Sequence, residues 1–402
     1  MPMTVPPVDP NVRWSDAVLD AARMRGDALA DATVATVFAS GETTAVSNLM
    51  GTLMRNDQAA PAALPAVVQD YLAQTSSIAA HHPDTVARGQ RVFAEHGPEI
   101  LMLLCCSSLP SSYAARKGVK VLHETAYLAK RPNRRLFETA QMIVDVLSPR
   151  GLDAGGRGVR TAQKVRLMHA AIRHLILADP RRQWSLPELG MPINQEDLLG
   201  TLMTFTWLII DGLRKQQIAI APEDEAAYLD TWLSVGELMG IEPGLLPRTV
   251  GDAKALTAII ERRQVAPSPE GSEMMAALLG MMNDNIPEGF RGLPSSMIRE
   301  FLPAEVATFL GVPNHFFERE LLDLAERLVH PLEMFADQQA RRHGVIRAFS
   351  VHLLRAMTTV ELNGQGARFA LPDTLTQAWQ LAPADSEESF WRKLAERRPN
   401  AS

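Results

Sequence analysis

Apolar residues recur along this chain at intervals of three and four, and the pattern is broken by proline and glycine rather than by the alternation that marks strands. It predicts helices over Asp16–Ser40, Ala45–Met54, Ala66–Thr75, Val86–Ser107, Arg116–Ala129, Arg134–Leu147, Val159–Leu177, Gln195–Gln216, Glu223–Met239 and Ala253–Arg263. Further helices are expected over Gly271–Asn283, Ser295–Leu302, Ala304–Leu310, Glu318–Gln339 and Ile346–Glu361. End signals agree with several boundaries. Pro222-Glu223-Asp224-Glu225 puts acid in a first turn, Gly240 stops the helix after Met239, and Asn194 caps a helix whose dipole Glu196 and Asp197 complement. Hairpin signals and fixed-period repeats are lacking, so the fold class is all-α.

Within this pattern the stretch Arg166-Leu167-Met168-His169-Ala170-Ala171-Ile172-Arg173-His174 stands out, because it sets two histidines and two arginines in an apolar helical run. His169 and Arg173 share a face, with Arg166 one turn earlier, and His174 points about 140° away. An imidazole on a mostly buried helix beside guanidinium groups suits an axial haem ligand near propionates. A core histidine satisfied by a neighbour is the alternative from the residues alone. Arg135 and Thr139, four apart on a second helix with Glu138 on the neighbouring edge, read either as a polar site or as an exposed ion pair beside a packed threonine.

Composition narrows the classes. The chain has 402 residues, 46% of them hydrophobic, with a net charge of −6, enough for a sizeable core under an ordinary surface. No basic tract with interleaved aromatics occurs, so nucleic acid is not an expected partner. The two cysteines, Cys105 and Cys106, are adjacent in an apolar run and read as small core residues in a reducing compartment. The proline-rich start lacks the pattern of a signal peptide, and no uninterrupted apolar segment nears the roughly 20 residues of a membrane span, so a cytoplasmic location is expected.

Other features carry less chemistry. Gly151–Gly158 reads as a flexible turn, since no strand precedes it and no Lys-Ser/Thr pair follows. The methionines Met274, Met275, Met281 and Met282 read as packing, and the tail after Leu362 as peripheral and partly mobile. His81, His82, His123, His315, His330, His343 and His352 show no paired-ligand spacing, and HExxH, G-x-S-x-G and Cys-x-x-Cys are missing.

Taken in order, Ser108–Tyr113 (SLPSSY), Arg134–Ala140 (RRLFETA), RLMHAAIRHL, Pro192–Thr206 (PINQEDLLGTLMTFT), Glu225–Ile241 and Leu245–Pro247 form a succession. It resembles the family of the bacterial latex clearing proteins (rubber oxygenases) and the MpaB-type oxygenases of fungal meroterpenoid synthesis. The likeness runs from about Val86 to Gln264 and more loosely to Gly311.

The resemblance implies a large single-domain bundle with a globin-like core of the rubber oxygenase type and additional helices. It implies an N-terminal helical segment over 1–85, a haem-binding core over 86–311, C-terminal helices over 312–361 and a peripheral tail over 362–402. It implies haem b, whose iron His169 ligates, with Arg166, Arg173 and His174 nearby, and dioxygen added across a carbon–carbon double bond of an apolar, isoprenoid-like small molecule. Arg135 and Thr139 match functional residues of the distal haem face, and Glu124 is the upstream candidate for an acid beside it. One departure matters: the best-known rubber oxygenases carry a lysine before that threonine, where this chain has Glu138. That leaves the sixth iron position open, water-filled or gated otherwise, and leaves a non-catalytic haem- or lipid-binding protein of the same fold as the alternative.

Overall fold

The computed structural model describes residues 9–40, 64–76, 83–129, 132–284, 291–314, 350–351 and 371–379. The expected helices over Ala45–Met54, Glu318–Gln339 and nearly all of Ile346–Glu361 lie outside these residues, as do His81, His82, His315, His330, His343 and His352. Among the described residues the structure is helical, with one isolated bridge between Ala115 and Val265.

The helix expected over Asp16–Ser40 is two. Gly26 interrupts the period and Asp27 starts again by accepting the Ala30 amide, which separates α1 (Asp16–Arg23) from α2 (Ala28–Ala39). After α3 (Ala66–Thr75) comes the long α4 (Pro83–Leu103), which kinks at His96 ahead of Pro98. A π-helical turn, Leu104–Ser108, joins α4 to α5 (Leu109–Ala114). Pro110 has no N–H for the Cys106 carbonyl, and the widened turn falls just before it. Cys105 and Cys106 are buried and free there, as their apolar setting predicts.

Next come α6 (Val119–Ala129), α7 (Pro132–Leu147) and α8 (Arg157–Ala178). The helix expected over Gln195–Gln216 is also two, α9 (Gln195–Phe205) and α10 (Trp207–Lys215). They break at Thr206, in a run of β-branched and aromatic residues that crowd a helical turn. The chain continues through α11 (Pro222–Leu238), α12 (Val250–Gln264), α13 (Pro269–Asp284), α14 (Leu293–Phe301) and α15 (Ala304–Phe309). Gly240 adopts φ 88° just past α11, and Asn194 Oδ1 accepts the Asp197 amide, as their end signals predict.

At the centre α4 lies along α11, and Phe93, Ile100, Met102, Leu103 and Trp232 are sealed between them and their neighbours. The run Pro83–Ala114 has the length and hydropathy to cross a bilayer, but 78% of its apolar window is buried in the protein, which makes it the core helix of the bundle. Met275, Met281 and Met282 pack into the same core. A second, smaller core joins α2, α3 and one face of α8 through Ala30, Val34, Val37, Tyr71, Leu167, Ala170 and Ala171.

The described part of the tail, residues 371–379, packs against the bundle. In and after α16 (Asp373–Ala378), Leu375 and Trp379 are buried. Trp379 meets Phe93 edge-on with ring centroids 5.5 Å apart, and its indole N–H donates to the Ala94 carbonyl at 2.9 Å. Ala94 is four residues before Pro98, so its carbonyl is the one the proline cannot serve. A tryptophan from the far end of the sequence supplies the missing donor.

Candidate functional site

The helices α7 and α8 form an antiparallel hairpin, and Asp145 fixes their register. Its Oδ2 accepts from Thr161 Oγ1 on α8 at 2.8 Å, its Oδ1 accepts from Gln141 Nε2 at 2.9 Å, and Oδ1 also forms an ion pair with Arg157 Nη2 at 3.1 Å. The glycine-rich turn is close-packed where it enters α8: a Cβ on Gly158 would lie 2.7 Å from both the Asp145 carbonyl oxygen and Val146 Cα.

From the Asp145–Thr161 contact, six residues back along α7 lead to Thr139 and six forward along α8 lead to Leu167. Thr139, with Glu138 beside it, therefore stands within two residues of the height of His169, about 3 Å along the axis at the helical rise. All three side chains are half-buried. Rotation around α8 settles which way His169 faces. Leu167, Ala170 and Ala171 pack on α2 and α3, and His169 lies about 150° around the helix from that face, on the side of Ala162 and Val165, which pack into the main core. Arg135 lies one turn before Thr139 on α7, with its side chain outside the described residues.

The other residues expected near the cofactor have partners of their own. His174 packs its ring against Phe38 of α2, centroids 4.5 Å apart. Arg166 binds Asp27 through Nε and Nη2, the latter at 2.8 Å, and donates from Nη1 to Leu238 O at 3.2 Å. Burial works against that guanidinium's charge, but the hydrogen bond and charge of Asp27 outweigh it and raise its pKa. Arg173 donates Nε to Asp31 at 2.7 Å and Nη1 to Ile193 O at 3.0 Å, while its buried Nη2 makes no hydrogen bond. Glu124 sits on α6 and takes Arg182 Nη1 at 2.7 Å, past the C-terminal end of α8. His123 pairs with Glu273 at 2.8 Å.

The helix start Asn194–Asp197 does more than cap. Glu196 is fully buried and receives Arg23 Nε and Arg263 Nε, each at 2.7 Å, and Arg263 reaches on to Asp16 and Asp20 at 2.6 Å. Arg23 also donates to Asp197 at 2.7 Å. Burial pushes the Asp197 carboxyl above its ordinary pKa, against the pull of the Arg23 charge. Sequence reasoning missed Asp27, Asp31 and Asp145 as partners of the histidine helix and its hairpin. Gly26-Asp27, a stop followed by a cap, signals a helix start but not which helix its acids meet.

Chemically, the hairpin offers one imidazole on a rigid helix, with a hydroxyl and a carboxylate at its height on the helix opposite. Among the described residues no group of three or more His, Cys, Asp or Glu converges, so His169 suits single axial ligation of a prosthetic group rather than a multi-ligand ion site. The unspent N–H donors of Arg173 Nη2 suit a carboxylate such as a propionate. The residues present fit a haem.

Comparison with known proteins shows the family and the fold. The sequence profile described as ER-bound oxygenase mpaB/B'/Rubber oxygenase, catalytic domain, matches residues 96–334. A rubber oxygenase of Streptomyces sp. (strain K30) is 25% identical over 308 residues, covering 76% of this chain and 72% of the relative. A structure of latex clearing protein in the closed state superposes with a TM-score of 0.69 at 23% identity, over 86% of this chain and 92% of that one, which shows a shared fold.

Proposed function

The chain belongs to the mpaB/rubber oxygenase catalytic-domain family, and on that premise we propose that it is a haem b-dependent oxygenase of an apolar, unsaturated, isoprenoid-like small molecule. The reaction in this reading is oxidative cleavage of a carbon–carbon double bond to carbonyl products. The observation that carries it is the hairpin register, which brings Glu138 and Thr139 to the height of His169 within the residues the family shares.

When bound, the haem supplies an iron that activates dioxygen. The chain supplies the rest. His169 would hold the iron from α8, Arg173 Nη2 would offer a donor to a propionate, and Thr139 would orient a water or oxygen atom through its hydroxyl. Arg135 contributes positive charge from the same helix. Glu138 holds or accepts a proton where the best-known rubber oxygenases carry a lysine. The main-core side chains beside Ala162 and Val165 give an apolar surface on the side His169 faces. A cytoplasmic location belongs to the same proposal and is supported by two buried, free thiols. Glu138 in place of lysine favours one second reading, a haem- or lipid-binding protein without turnover.

An absorption spectrum before and after reduction and addition of carbon monoxide tests the cofactor. Incubation with prenylated compounds under oxygen-18 gas tests the reaction, with label expected in aldehyde or ketone products trapped before exchange. A protein that stays colourless on reconstitution overturns the haem reading. A haem-loaded protein that consumes no dioxygen across the panel selects the binding protein, and label found only in hydroxyl groups selects monooxygenation.

A further inference from the structure

Asp27 and Asp31 grip the histidine helix on both sides of His169. Asp27, the cap of α2, takes Arg166, three residues before the histidine, and Asp31, one turn into α2, takes Arg173, four residues after it. Both contacts are shielded from water at the arginine: the Arg166 and Arg173 side chains are 8% and 2% exposed. A glycine covers each pair. A Cβ on Gly240 would lie 2.3 Å from Asp27 Oδ2 and 2.8 Å from Arg166 Nε, and one on Gly26 would lie 2.6 Å from Asp31 Oδ2 and 3.1 Å from Arg173 Nε.

The turn bearing these acids is itself fastened to the bundle. Gln195 donates from Nε2 to Gly26 O at 2.8 Å and Gly240 O at 2.9 Å, while Arg23 is tied to Glu196 and Asp197. Asp31 also accepts the Asp27 amide at 2.9 Å, which couples the two acids. Arg173 Nη1 ends on the carbonyl of Ile193, a β-branched residue at φ 51°, a backbone conformation such residues seldom adopt unless held.

Resting on the functional reading above, we propose that Asp27 and Asp31 are positioning residues for His169. The two acids clamp the turn of α8 that carries the histidine, fixing its height and rotation and neutralising the two guanidinium charges beside it. Both lie outside the residues the family profile matches. Rotation is the sensitive coordinate, because a helix that turns by one residue's worth, about 100°, carries the imidazole off its face. Charge is the second. Removing either carboxylate leaves a buried cation near the iron ligand, which favours the reduced form of a bound haem.

The test compares Asp27→Asn, Asp31→Asn and the charge-retaining Asp27→Glu with Val34→Ala, which trims an apolar contact of the same α2–α8 interface and leaves the ion pairs intact. Asp31 is 33% exposed at its side chain, so its variant is the milder one should Asp27→Asn fail to fold. Hydrogen exchange over residues 163–176 is read on the cofactor-free chain, and the haem midpoint potential on the loaded one. We expect the asparagine variants to exchange at least about tenfold faster through that stretch and to shift the potential upward. Asp27→Glu should restore the potential, and Val34→Ala should lower Tm with the potential of the wild type. Asparagine variants that behave as Val34→Ala does overturn the proposal. A wild type that takes up no haem overturns the functional reading instead, and the exchange then decides the clamp alone.

Discussion

Asp145 and Thr161 meet across the α7–α8 hairpin at 2.8 Å, and this one hydrogen bond fixes which residues of the two helices stand level. Because Asp145 is buried and also holds Gln141 and Arg157, its carboxylate has little freedom to follow a slipped helix.

Thr161→Val keeps the side-chain shape and removes the donor. We expect a loss of about 1–3 kcal/mol, the cost of leaving a buried acceptor short of one partner, read as a lower denaturant midpoint with an unchanged slope. An unchanged midpoint would show that the hairpin holds its register by packing alone.

His169→Ala should abolish haem uptake while leaving the helical content intact. His174→Ala, which removes a ring contact with Phe38 on the far side of α8, should keep the haem and cost about 0.5–1.5 kcal/mol of stability. Full haem content with an unchanged spectrum in the His169 variant would remove the imidazole from the iron.

Much of this was legible in the chain. Helical spacing placed most of the described helices, and counting 100° per residue was enough to separate His169 from His174. Two breaks were overlooked, because Gly26 and Thr206 interrupt periods that continue on both sides. The partners of Arg166 and Arg173 were not legible at all. Asp27 lies 139 residues from Arg166 in sequence, and a helical period says which face is buried without saying which acid lies against it. For the same reason the sequence offered Arg166 as a propionate anchor, although its three nitrogens are engaged by Asp27 and Leu238.

Arg135→Ala and Thr139→Ala should each slow turnover by about a hundredfold or more, the 2.7–4 kcal/mol typical of one oriented electrostatic contact, with haem content retained. Steady-state dioxygen consumption with a prenylated compound is the measurement. Wild-type rates in both variants would assign this face of α7 to packing.

The thiols give a prediction that needs no cofactor. Burial pushes Cys105 up to about 12 from an ordinary value of 9.0, and Cys106 well above the same value. The folded state therefore holds these protons more tightly than the unfolded chain, and stability falls as pH rises from about 9 towards 12. At pH 8 neither thiol should react with iodoacetamide until denaturant is added, so rapid modification of the folded protein would contradict their burial.

The indole of Trp379 fills the hydrogen-bonding gap that Pro98 opens in α4, and this bears on where the protein can be cut. The family profile begins at His96, on the kink itself, and ends at residue 334, so a fragment trimmed to those limits loses the plug along with Asp27 and Asp31. It would keep the matched residues and still lack the first part of α4, with Phe93 and the Ala94 carbonyl that the indole serves, and it would leave the two guanidinium groups of the histidine helix without their acids. The stretch the family profile covers and the piece that holds the histidine helix in place are, for this chain, different objects.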